Sequence, residues 1–105
     1  FLTNKMGAFG VNVMKTKDKD SVIESGCSDT IMRGINDIIG RPDLLVINER
    51  GMIEQFFIEV KGNGDGIRFE QLNWCLRHSE CPTLYLFIQY DKIMDAVSVN
   101  IPPLQ

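Results

Sequence analysis

Two acids and an amine near the middle of the chain have the types and spacing to do chemistry. Asp43 follows Pro42, and sixteen residues later Glu59 and Lys61 flank Val60. Paired carboxylates can share a divalent cation, and a neighbouring ammonium can orient water or offset charge that builds on a phosphate. An E-x-K step on a strand is also an ordinary same-face ion pair, and Asp43 alone could simply begin a strand. The two readings separate on whether the chain brings Asp43 and Glu59 to one face.

The flanking residues indicate that it does. Residues 43–48 (DLLVIN) and 52–61 (MIEQFFIEVK) read as strands. Glu49-Arg50-Gly51 joins them as a three-residue loop with glycine in its left-handed position. Side chains alternate along a strand, so Phe57, Glu59 and Lys61 share one face, and Phe56, Ile58 and Val60 the other. Pairing Asn48 with Met52 sets Asp43 opposite Phe57 and makes Asp43 and Glu59 diagonal neighbours, about 7–8 Å apart. A loop one residue longer or shorter would separate the two acids. Held together on a half-apolar face, they repel, and one keeps its proton until a cation arrives. Mg²⁺ or Mn²⁺, which take oxygen ligands and keep several waters, are the natural guests.

The other elements frame this pair as an α/β domain with a central mixed sheet flanked by helices. Residues 9–14 alternate as a strand and 15–20 (KTKDKD) read as a charged turn. Residues 21–41 read as a long loop with one or two helical turns, in which Ser28 or Asp29 caps a short helix through Asn36. Gly62, Gly64 and Gly66 make a tight loop into a helix over 67–79, with Asp65 as a candidate cap and Phe69, Leu72 and Leu76 as its apolar face. Trp74 suits packing that helix to the sheet better than stacking on a base. Residues 83–90 (TLYLFIQY) are apolar enough for an interior strand, 91–96 read as a short helix, and the end is extended.

Composition narrows the field further. The 105 residues amount to a single domain, residues 1–105. No apolar run reaches the roughly 20 residues a membrane helix needs, so a membrane partner is not expected. Cys27, Cys75 and Cys81 form no CxxC pair, which fits reduced thiols in a cytosolic protein better than a disulfide framework or a zinc site. The net charge of −3 runs against a nucleic-acid binder. Residues 43–105 carry most of the excess acid, while Lys15, Lys17, Lys19, Arg33 and Arg41 remain as candidate phosphate contacts, with Arg41 favoured by its place beside Pro42-Asp43. His78, near a helix end, suits the helix dipole better than catalysis.

Pro42-Asp43 followed by Glu59-Val60-Lys61 matches the PD-(D/E)xK nuclease signature. The continuation through Gly62, Asp65, Gln71 and Trp74 (E-V-K-G-x-x-D-x₅-Q-x-x-W) resembles the virus-type replication-repair nuclease (VRR-NUC) domain. That domain occurs in small phage and bacterial proteins and in the Fanconi-associated nuclease. The resemblance runs from about Gly40 to Leu76, a third of the chain. It implies a restriction-endonuclease-like core and a cytoplasmic, Mg²⁺- or Mn²⁺-dependent DNA endonuclease acting on branched DNA such as a Holliday junction, as a homodimer. Asp43, Glu59 and the Val60 carbonyl would be metal ligands, Lys61 the catalytic lysine, and Gln71 a residue facing water or phosphate in the site. The family also carries an acid on a helix before the first strand. Residues 1–10 contain neither Asp nor Glu, so that helix precedes Phe1, or Glu24 takes its place, or the site is incomplete. The competing expectation is a non-catalytic nucleic-acid-binding module, or a structural subunit, that keeps the nuclease fold.

Overall fold

The computed structural model of the chain describes residues 11–48, 55–62 and 64–99. Phe9, Gly10, the Glu49–Gly51 loop and the C-terminal Pro102-Pro103 lie outside these residues. The described elements are β1 (Val11–Lys15), α1 (Lys19–Glu24), α2 (Asp29–Asn36), β2 (Leu44–Asn48), β3 (Gln55–Gly62), α3 (Phe69–Arg77), β4 (Thr83–Gln89) and β5 (Lys92–Val99). The strands form one mixed sheet in chain order, antiparallel throughout except for the β3–β4 pair, which α3 connects.

Alternation within the strands divides the core into two layers. Leu45, Ile47, Phe57 and Tyr85 project to the face that receives Val22 of α1, Ile31 and Ile35 of α2, and Trp74 and Cys75 of α3. Val46, Ile58 and Leu86 project to the opposite face, where no described helix packs. Burying a large apolar side chain contributes about 2 kcal/mol, so this repeated pattern fixes which way each strand faces.

The β2–β3 ladder corrects the expected register. Leu44 pairs with Ile58, Leu45 with Phe57 and Ile47 with Gln55. Asp43, one step beyond Leu44, therefore faces Glu59 rather than Phe57. The shift is two residues, and an even shift preserves which side chains share a face. The acids become direct rather than diagonal neighbours.

Three further expectations change. Residues 19–24 form α1 instead of a charged turn and loop, because the Asp18 carboxylate caps it by accepting the Ser21 N–H at 3.3 Å and the Ser21 hydroxyl at 2.7 Å. Residues 92–96 belong to β5, not to a helix, and Asp91 lies in the turn before it. Tyr90 and Asp91 take left-handed φ values of 51° and 59°, the two-residue turn whose twist suits a hairpin, and Gln89 pairs with Lys92 across it. Finally, Phe69, Leu72 and Leu76 of α3 are exposed. The helix buries Gln71, Trp74 and Cys75 instead, with His78 continuing the same i, i+3, i+4, i+7 spacing. Trp74 decides this orientation. Its ring meets Phe57 edge-to-face at 5.0 Å, and its indole N–H donates to the Asp37 carbonyl at 2.9 Å.

Asp37 also gathers the Arg77 guanidinium and the His78 imidazole, each at 2.8 Å from Oδ2. These bonds hold its carboxyl below the usual carboxylate range, the Arg77 bond most of all. The lone histidine thus ties α3 to the chain after α2. Next along, Gly40 (φ +80°) lies against the backbone of α3, where an added Cβ would collide with the Glu70 carbonyl oxygen. Gly40→Ala is expected to lower stability by at least about 2 kcal/mol, from left-handed strain plus the collision. Urea unfolding monitored by Trp74 fluorescence measures it.

Candidate active site and its basic cavity

Asp43 sits at the entry of β2, and a residue distant in sequence holds it there. Thr16 is buried; its N–H donates to the Asp43 carbonyl at 2.9 Å and its hydroxyl to the Pro42 carbonyl at 2.7 Å. The Asp43 N–H in turn donates to Glu59 Oε2 at 3.0 Å. The second Glu59 oxygen accepts from Gln71 Nε2 at 3.4 Å, while Gln71 Oε1 accepts the Arg68 N–H at 2.9 Å. Gln71 therefore reaches Glu59, and in this arrangement its amide positions that carboxylate from the first turn of α3.

Glu59 is 8% exposed, with Tyr85 beside it on β4. Burial pushes its carboxyl up to about 7. The Asp43 charge pushes the same way, and the Asp43 N–H and the Lys61 charge offset only part of the rise. Burial likewise raises the Tyr85 phenol, so the wall behind Glu59 stays uncharged. Lys61 stands two residues along β3 on the same face, opposite Phe87.

The Phe57 N–H donates to the Pro82 carbonyl on the β4 side, so odd-numbered residues of β3 point their peptide groups there and even-numbered ones point toward β2. The β2–β3 ladder has ended at Leu44–Ile58, and residue 42 is a proline with no N–H to offer. The Val60 carbonyl is thus aimed at the acid pair's side of the sheet edge.

Asp43 opens onto a cavity of about 520 Å³ lined by Lys15, Thr16, Lys17, Ile38, Arg41 and Leu44 as well. The fold gathers three of the scattered cations, Lys15, Lys17 and Arg41, around one acid. Arg41 also anchors the wall, since its Nη1 donates to the Ile35 carbonyl at 2.6 Å. Arg33 is not part of this cavity: it lies 3.8 Å from Glu80 on the surface of α2 and donates to the Thr30 hydroxyl. Asp65 does not cap α3. Its carboxylate closes the glycine loop by accepting the Gly62 N–H at 3.0 Å, and Arg68 takes the cap position.

Among the described residues, no three His, Cys, Asp or Glu side chains group to hold a metal, and Glu24 forms no such group with Asp43 and Glu59. The available donors are two carboxylates and the Val60 carbonyl. Mg²⁺ needs only one or two carboxylates beside its waters, so this oxygen set fits Mg²⁺ or Mn²⁺. Thr16 and Ile38 are the site residues that the sequence did not point to, because only the fold brings them there. The cysteines are free thiols. Comparison with protein-family models, with curated proteins and with solved structures found no match.

Proposed function

We propose that the chain is a Mg²⁺- or Mn²⁺-dependent DNA endonuclease with a restriction-endonuclease-like core. The observation that carries this reading is the direct opposition of Asp43 and Glu59, one of them buried and carrying a raised pKa, beside a cavity lined by three cations. The resemblance to VRR-NUC domains adds branched DNA as the substrate and a homodimer as the working form.

Each residue has a physical task. Lys15, Lys17 and Arg41 hold the anionic backbone. Asp43, Glu59 and the Val60 carbonyl present oxygens to the cation. When bound, the cation acidifies water and neutralises a phosphate oxygen. Lys61 orients the attacking water and offsets charge on the phosphate as the new P–O bond forms. The scissile P–O ester bond then breaks, its leaving oxygen takes a proton from solvent water, and the proton lost by the attacking water passes to solvent. Gln71 keeps Glu59 aimed at the site throughout.

The test is cleavage of a supercoiled plasmid and of a four-way junction by the full chain in Mn²⁺, with EDTA and Lys61→Ala as controls. Cutting that needs both the cation and Lys61 supports the nuclease. One observation favours a second reading, a non-catalytic nucleic-acid-binding module: both Glu59 oxygens already have protein donors. Under that reading the chain binds DNA, cuts none, and takes up no divalent cation.

A further inference from the structure

Two neighbouring isoleucines are exposed, and the first of them lines the basic cavity. Ile38 is 65% exposed and Ile39 70%. Isolated surface hydrophobics are ordinary, but this pair is fastened in place. The Arg41 N–H closes the turn onto the Ile38 carbonyl at 3.1 Å, and Arg77 Nη2 holds the Ile39 carbonyl at 3.1 Å. Asp37 is locked by Trp74, Arg77 and His78 on one side, and Gly40 is pressed against α3 on the other. Hydrogen bonds and the close approach of Gly40 hold this turn while both isoleucine side chains face solvent.

Ile38 also lines the cavity that holds Lys15, Lys17, Arg41 and Asp43. An occupant that uses both features is anionic at the cavity and apolar beside it. A nucleic acid meets both demands: phosphates for the cations, base faces for the isoleucines. We infer that the Ile38-Ile39 turn is a wedge that packs against unstacked bases next to the phosphate held in the cavity. It rests on the nuclease reading and gives it a specificity-determining element. Isoleucine is among the side chains that insert at base steps. In intact duplex the wedge must first open a stacked step, whereas at a branch, flap or single strand the base face is already available.

The test uses the full chain with Ca²⁺ in place of Mg²⁺ or Mn²⁺. The probes are a four-way junction carrying 2-aminopurine beside the branch and a linear duplex of the same sequence. The wild type should bind the junction more tightly and raise the 2-aminopurine fluorescence. Ile38→Ser/Ile39→Ser should lose about tenfold more in junction affinity than in duplex affinity, the size of one base contact, while the melting temperature holds. Lys15→Ala/Lys17→Ala should weaken both complexes and flatten their salt dependence. An isoleucine variant that keeps the junction preference and the fluorescence rise overturns the wedge alone. The same result with an altered sedimentation coefficient assigns the turn to contact between copies of the chain. A wild type that binds neither DNA overturns the wedge and the nuclease together.

Discussion

Replacing Lys61 with alanine is expected to lower the rate of phosphodiester cleavage by about 10³-fold while leaving the fold and DNA binding in place. The ammonium sits two residues from Glu59 on the same face, at the half-exposed end of β3, so little packing is lost. Lys15, Lys17 and Arg41 still line the cavity. On the nuclease reading the lost interaction is one made with the attacking water and the developing charge on phosphate, so kcat should fall with KM nearly unchanged. A second effect follows from electrostatics. The Lys61 charge lowers the Glu59 pKa, so Lys61→Ala should move it above its present value of about 7. Cleavage by the variant should then reach its residual plateau at a higher pH than cleavage by the wild type. Lys61→Arg keeps the charge and should restore the plateau position better than the rate, because a planar guanidinium does not reproduce the ammonium's reach. Plasmid-nicking kinetics across pH test both effects. Full cutting by Lys61→Ala would remove the lysine from the mechanism.

Local rules made much of this site readable, because its decisive property is parity. Glu59 and Lys61 share a face on any extended backbone, and Asp43 joins them for every even register of the hairpin. The wrong register therefore still gave the right face. The strands 43–48 and 83–90 and the Ser28 cap were readable for the same reason: each is a short-range pattern of alternation or capping. The orientation of α3 was not. Two apolar-looking faces compete on that helix, and the winner is set by where Trp74 meets Phe57 and the Asp37 carbonyl, partners 17 and 37 residues away. β5 was misread because its left-handed turn is imposed by pairing with β4, which local propensity does not encode. The basic cavity was only half legible. Lys15, Lys17 and Arg41 could be named one by one, but their convergence depends on Thr16 clamping residues 42 and 43 to the end of β1.

The Glu59 carboxyl makes a second large effect, in opposite directions for the free and the cation-loaded chain. Its folded pKa of about 7 lies above the ordinary value of 4.5. A group raised in this way contributes stability that is fully present below pH 4.5 and lost as pH rises through 7. For a shift of this size the loss is on the order of 3 kcal/mol. In EDTA the protein should therefore melt at a lower temperature at pH 8 than at pH 5. Asp37 works the other way but on a different window: its folded pKa is depressed, so its contribution is lost only as the solution becomes strongly acidic. On the nuclease reading a divalent cation needs the ionised Glu59, so its affinity should climb about tenfold per pH unit up to 7 and level off above, about a hundredfold from pH 5 to pH 8. Calorimetric titration with Mn²⁺ at several pH values measures that slope together with the proton released. Glu59→Gln supplies the control. It keeps a side chain that can still accept the Asp43 N–H, removes the charge that opposes Asp43, and should flatten the EDTA melting profile between pH 5 and 8 while abolishing Mn²⁺ uptake. A flat affinity profile in the wild type, or an unchanged melting profile in the glutamine variant, would mean that the buried acid is not what holds the cation.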